Sequence, residues 1–391
     1  MKRSALCGLV FAATVVMVAL HSPARADREE KAPLIPQLTA SPTFSDSTVP
    51  TNGDVNPYGV AFVPEGFPNG GVLRPNDIIV SNFNNSGNLQ GTGTTIVRVN
   101  NGGAPTLFFQ GQQGLGLTTA LGIVRRGFTL VGNLPSLNGT GVCTAESGPT
   151  QDVGQGGLLV IDEHGNLVQT LTSPTLLNGP WDLTLKDEGD RATVFVANAL
   201  SGTVTRLELR FQDEHMDNRS MASNSMRSSR SPVEVERATQ IASGYGHRCD
   251  PAAFVVGPTG VAFDEENDIL YVSSTADNAL FAIHNARGRK TDAGMGDLVT
   301  NDAVHLHGPL GLALAPNGDL ISTQSDAINQ DPNQLSEVVE FTPAGKFVAE
   351  FQVDPNAGSA FGLAIRSRGD GFVFATVDDT TAVLDIWDVA K

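Results

Sequence analysis

The residues of this chain able to do chemistry are scattered amides, hydroxyls and carboxylates rather than one compact motif. Asn56, Asn178 and His307 each stand just ahead of an apolar run. Asn82, Asn198 and Asp378 each close a short β-rich run. Amides in that number favour recognition of uncharged, hydrogen-bonding ligands such as sugars over tight capture of a cation, because a hard cation prefers charged oxygens. His307 is the one histidine at the start of such an apolar run, with His305 two residues earlier; His164, His215, His247 and His284 fall elsewhere. A lone histidine beside a carboxylate can act as a general base, but it is also a common hydrogen-bonded structural residue. No G-x-S-x-G elbow, P-loop or G-x-G-x-x-G fingerprint is present. No catalytic residue and no metal ligand is therefore assigned.

What must position these residues is a repeat. One pattern, a small or polar residue, often Pro, then one residue, Gly and an apolar run, recurs along the chain. It reads Asn56-Pro57-Tyr58-Gly59-Val60-Ala61-Phe62, then Gly257-Pro258-Thr259-Gly260-Val261-Ala262-Phe263, then Gly308-Pro309-Leu310-Gly311-Leu312-Ala313-Leu314. A weaker copy is Ser359-Ala360-Phe361-Gly362-Leu363, and two degenerate ones are Thr119-Ala120-Leu121-Gly122 and Gly179-Pro180-Trp181-Asp182. Gly260, Gly311 and Gly362 lie 51 residues apart. Each copy is followed by a turn and two or three more β-rich runs. Short strands at even spacing, punctuated by Gly, Asn and Asp, mean an all-β chain. Four strands repeated six times predict a six-bladed β-propeller of antiparallel blades, with inner strands beginning near Tyr58, Leu121, Trp181, Thr259, Leu310 and Phe361. The sixth unit runs out of chain after three strands. Residues 37–49 are expected to supply the fourth beside Val383 to Trp387, because an open edge invites aggregation.

Strand direction sorts the candidates by face. In an up-and-down blade, the connector entering the inner strand and the loop after the second strand share one rim. That rim gathers Asn56, Asn178 and His307 with Ser81-Asn82-Phe83-Asn84, Asn133, Asn198, Ser274-Thr275, Asp277, Gln324, Asp326, Asp378 and Asp379. Convergent polar groups at a channel mouth make the default binding site. The same residue types also clamp tight turns through their own backbone. The candidate ligand-binding set is Asn56, Asn82, Asn178, Asn198, His307 and Asp378.

The run Pro258-Thr259-Gly260-Val261-Ala262-Phe263-Asp264, with Asp268-Ile269-Leu270-Tyr271-Val272-Ser273 and Asp277-Asn278-Ala279-Leu280-Phe281, resembles an NHL repeat and is similar to blades of the SMP-30/gluconolactonase group. That resemblance spans nearly the whole chain beyond the leader and implies the propeller. It also implies, as the alternative to a ligand- or protein-binding propeller, a metal-assisted lactonase or lyase acting in the central channel. At Asn178-Gly179-Pro180-Trp181 an amide stands where that group's first metal ligand, a Glu, is expected. No cofactor is implied, and a weakly held divalent cation is the most this pattern allows.

Lys2 and Arg3, the apolar stretch from Leu6 to Leu20 and Ala24-Arg25-Ala26 read as a signal peptide over residues 1–26. The propeller then occupies 27–391 and is secreted or periplasmic. Its removal takes the formal charge from -17 to -20, since three basic residues leave with it. So acidic a chain repels nucleic acid, and no later stretch is apolar enough for membrane insertion. Cys143 and Cys249 then remain, and in an exported protein such a pair predicts a disulfide. Residues 212–232, rich in Ser, Met, Arg and Asn, read as a disordered loop.

Overall fold

The computed structural model describes residues 32–144, 152–212, 231–324 and 328–390. The leader, Asp326 and nearly all of the 212–232 loop lie outside them. Six four-stranded antiparallel sheets follow one another along the chain. Blade 1 is Val55–Phe62, Ile78–Asn84, Thr95–Val99 and Thr106–Gln110; blade 2 is Leu117–Val124, Phe128–Asn133, Gly157–Ile161 and Leu167–Leu171. Blade 3 is Pro180–Asp187, Arg191–Asn198, Thr203–Phe211 and Val233–Ser243; blade 4 is Pro258–Asp264, Ile269–Ser274, Ala279–His284 and Asp297–Thr300. Blade 5 is Pro309–Leu314, Leu320–Gln324, Glu337–Phe341 and Phe347–Gln352. Blade 6 is Ala360–Arg368, Gly371–Asp378 and Val383–Val389, completed by the N-terminal strand Phe44–Ser47.

That last strand pairs antiparallel with the chain's final one, Phe44 opposite Ile386 and Ser47 opposite Val383. The backbone leading into it is also anchored. The Leu34 and Ile35 amides donate to the two oxygens of Glu340 at 2.8 Å each, and the Trp387 indole donates to the Thr39 carbonyl at 2.9 Å. Leu34 and Ile35 are buried in the apolar cluster between blades 5 and 6. Each other pair of adjacent blades shares a cluster of the same kind, built from alternate residues of both sheets.

The repeat's glycine has a steric reason. Inner strands crowd together around the axis. A Cβ on Gly362 would fall 1.7 Å from the Tyr58 carbonyl oxygen of blade 1, and one on Gly260 would fall 2.5 Å from the Leu310 carbonyl oxygen of blade 5. A hydroxyl on the second strand staples the same spot. Ser273 Oγ accepts from the Gly260 amide at 2.8 Å and donates to the Leu310 carbonyl at 2.9 Å. Ser81 does the same between Gly59 and Thr118.

In all six blades the pairing of inner and second strand slips at this point. Such an irregularity re-aims side chains. It marks where Tyr58, Trp181, Thr259, Leu310 and Phe361 enter the mouth. Blade 2 departs from the expected register. Leu121 pairs with Val131, as Val60 pairs with Val80, so Ala120 takes the glycine's place and Thr119, which lines the axial channel, takes the register position of Tyr58. Gly122 imitates the motif for another reason: Leu183 and Leu185 of blade 3 fill the space its side chain would need.

Candidate functional site

The rim carrying the connectors and the second-strand loops surrounds a cavity of about 410 Å³. Its apolar wall comes from the repeat itself: Tyr58, Trp181, Leu310 and Phe361, each where an inner strand enters. Tyr58 lies between Phe83 and Phe361, with ring centroids 4.6 Å away on either side, and Trp181 meets it edge-on at 5.6 Å. Polar groups come from the loops: Asn56, Asn84, Asn88, Gln90, Gln330 and Asp379.

The roof is an insertion. A short hairpin, Arg248–Asp250 with Phe254–Val256, precedes blade 4 and brings Ala252, Ala253 and Val255 over the cavity. Cys249 is bonded to Cys143, which follows the second strand of blade 2. Gln90 Nε2 donates to the Ala252 carbonyl at 3.0 Å. Phe254, fully buried, holds a left-handed φ of 64° and packs edge-on against Phe83 at 6.0 Å. A bulky residue tolerates that backbone only where its surroundings over-determine it; here the disulfide and the aromatic cluster do so.

Of the six candidate residues, Asn56 lines the cavity. The other five do not, and the bonds four of them make explain where they sit. Asn82 Nδ2 donates to the Thr48 carbonyl at 3.1 Å. Asn198 accepts from the Asn178 amide at 3.1 Å and donates to the Leu176 carbonyl at 3.2 Å. Asp378 accepts from the Thr381 hydroxyl at 2.5 Å. Gln324 accepts from the His307 amide at 2.8 Å, and Asn133 donates to Leu115 at 3.2 Å. In blades 2, 3 and 5 the last residue of the second strand, and in blade 1 Asn82 two residues before its end, thus clamps the connector entering its own blade. This is local side-chain to backbone bonding of the kind these residue types favour. His307 is buried with Nε2 3.4 Å from the buried Asp331 carboxylate, outside the cavity lining.

The groups beyond the candidate set that line the cavity include Tyr58, Trp181, Phe361, Asn84, Gln90 and Asp379. The signal for the three rings was the variable residue before the repeat's glycine. Burial and the neighbouring Asp378 charge push the Asp379 carboxyl up to about 7. Burial first, then the Asp379 charge, pushes the Tyr58 hydroxyl well above its usual range, while a hydrogen bond from Asn56 opposes the shift.

Below the cavity runs the axial channel, about 210 Å³, lined by the inner strands. Asp182 stands there in place of the repeat glycine. It is enclosed by protein yet touches the water-wide lumen, and it accepts from the Val261 amide at 2.9 Å. Desolvation, only partly offset by that bond, pushes it up to about 8.

No family model matches the chain, and no curated protein does. Solved structures do match in fold. A calcium-binding protein, regucalcin, from Agrobacterium tumefaciens has a TM-score of 0.49 at 11% identity, over 90% of this chain and 96% of that one. A gluconolactonase from Xanthomonas campestris has 0.46 at 11% identity, over 89% and 96%. Gluconolactonase-like propellers are thus among the structures that match this chain in fold. A putative oxidoreductase (glucose dehydrogenase) from Thermus thermophilus is similar at 0.48 and 13% identity, over 88% and 99%. These likenesses concern the fold alone.

The metal that the sequence resemblance to the SMP-30/gluconolactonase group implies does not fit the residues at its expected place. Asn178 replaces the carboxylate, and the Asn198 amide is spent on the connector. Among the described residues, no group of three or more His, Cys, Asp or Glu side chains is placed to hold a metal ion. Likewise no helix among them is long and apolar enough to cross a membrane.

Proposed function

We propose that the protein is an exported propeller that binds a small organic ligand in the roofed cavity at its loop-rich mouth. The observation carrying this reading is the cavity's make-up: three aromatic side chains against amides and one carboxyl, enclosed by a disulfide-stapled roof. At about 410 Å³ it lies at the small end of the range of roughly 300–1,000 Å³ for ligand pockets. Enclosure favours a small molecule over a protein surface. Asn56 is the residue of the candidate set that this reading retains as a direct contact. An export route agrees with the Cys143–Cys249 bond, which an oxidising compartment sustains.

The test is a metabolite screen by thermal shift on wild type and Ala357→Trp. Ala357 is an exposed loop residue on the cavity wall, so a bulky side chain there fills the space without touching the core. Hits that bind wild type and fail on the variant support the reading. Hits that bind both equally move the site elsewhere. A lactone-hydrolysis assay on the same pair addresses the enzymatic alternative, and activity abolished by Ala357→Trp would establish it.

A further inference from the structure

Resting on the reading of this cavity as a ligand site, we propose that its ligand is a small organic cation: a protonated amine on an apolar body, with the Asp379 carboxylate as its counter-ion. Three independent observations point there. Among the described residues, the cavity lining contains one carboxyl and no Lys, Arg or His. The Asp379 backbone amide is bonded to the Ser359 carbonyl, but its carboxylate has no hydrogen-bond or ion-pair partner among the described residues. A buried carboxylate left alone is costly, and an ammonium group relieves that cost where a sugar hydroxyl does so only weakly.

The second observation is an excess of acceptors. Asn56 is 5% exposed and Asn84 1% exposed, and each has a side-chain carbonyl oxygen without a partner. The Asn84 amide nitrogen donates to Asn88 at 2.6 Å, so that bond does not serve the Asn84 oxygen. Both oxygens are themselves covered, so they make the wall behind the lining electronegative rather than meeting a ligand directly. The third is the aromatic side formed by Tyr58, Trp181 and Phe361, which suits an apolar body and attracts a cation through its π-systems.

The charged and titratable groups around Asp379 are Asp378 in its own loop, Asp354 and Asp385 beyond it in blade 6 and its connector, and Tyr58 from blade 1. All become negative on ionising, and each is raised from its ordinary value or acts to raise a neighbour. Burial and these like charges therefore keep Asp379 protonated through much of the range below about 7. A bound ammonium reverses that and expels the proton.

The experiment is calorimetry on the full mature protein with benzylamine, phenethylamine and cyclohexylamine, each beside its neutral alcohol isostere. The amines should bind at least roughly tenfold more tightly than the alcohols. Their affinity should rise about tenfold per pH unit below 7 and level off above it, with close to one proton released at pH 6. Asp379→Asn should lose most of the affinity and all of that pH dependence, while Asp370→Asn, on an exposed turn, should bind as wild type. Alcohols binding as tightly as amines, unchanged amine binding in Asp379→Asn, or no amine binding at all would each overturn the proposal. So would stoichiometric calcium binding lost in Asp379→Asn. If neutral metabolites bind and Ala357→Trp excludes them, the cavity stands and the cationic class falls; if nothing is sensitive to Ala357→Trp, both fall.

Discussion

Asp182 shows how a single side chain can stand against the pattern around it. In four other blades its position is glycine, because the ring of inner strands leaves no room for a Cβ beside the neighbouring backbone. Asp182 instead turns its side chain along the channel and takes over the staple, bonding Val261 of blade 4 where Ser81 and Ser273 do this elsewhere. The bond holds the blades together but does not repay desolvation, which is why the carboxyl is raised to about 8. An acid raised above its unfolded value near 4 contributes stability that is complete below pH 4 and is lost as pH climbs through 8. Asp182→Asn keeps an acceptor for Val261 and has no charge to desolvate. It should match wild type near pH 4 and exceed it by about 1–3 kcal/mol at pH 8.5, after allowing for water in the channel. Urea melts at the two pH values check this; an equal difference at both would show that the carboxyl does not titrate in this window.

At the scale of elements, the N-terminal strand and the roof hairpin do what no blade can do for itself. The strand Phe44–Ser47 closes the ring by pairing the first part of the chain with its last strand. Glu340 fixes the backbone that leads into it by accepting the Leu34 and Ile35 amides. Glu340→Ala would leave both donors buried without partners, at a cost of about 2–4 kcal/mol. The expected result is a lower urea midpoint and faster proteolysis at the N-terminus before global unfolding. An unchanged midpoint would mean the segment contributes nothing to closure. The roof hairpin is bound chiefly through Cys249 and the packing of Phe254. Cys143→Ala with Cys249→Ala should lower the affinity of any cavity ligand more than it alters the blades, because the hairpin lies outside every blade sheet. Circular dichroism and ligand titration on the same sample separate the two effects.

For the whole molecule, closure is the organising constraint. Six wedges sharing apolar clusters at their faces leave a narrow axis, which widens into the roofed cavity at the mouth, where pairing slips in every blade, and into a recess of about 1130 Å³ between the far ends of the inner strands. The disulfide spans a separation of 106 residues, which the chain-entropy model values at about 4–5 kcal/mol. Thiol titration of denatured, unreduced protein should find no free Cys143 or Cys249, and reduction should lower the unfolding midpoint in proportion.

The amino-acid sequence alone determined the blade count, the strand order and the need for an N-terminal strand, because these follow from periodicity and from the cost of an open sheet edge. Those signals are local and repeat six times, so one misread copy, such as Leu121-Gly122, does not disturb the sum. It also placed the candidate residues together on one rim, since strand direction dictates the rim. Which side chains on that rim face a cavity was decided only by the tertiary structure. Asn82 and Asn198 have the same composition and rim position as Asn56, yet they are consumed by connectors of their own blades. The difference is set by where a neighbouring connector's backbone carbonyl or amide falls, a long-range fact with no periodic trace. For the same reason Asp379 was no more prominent than Asp378 in the sequence. Only the folded chain turns the Asp378 carboxylate to the Thr381 hydroxyl and leaves that of Asp379 facing the cavity without a partner among the described residues.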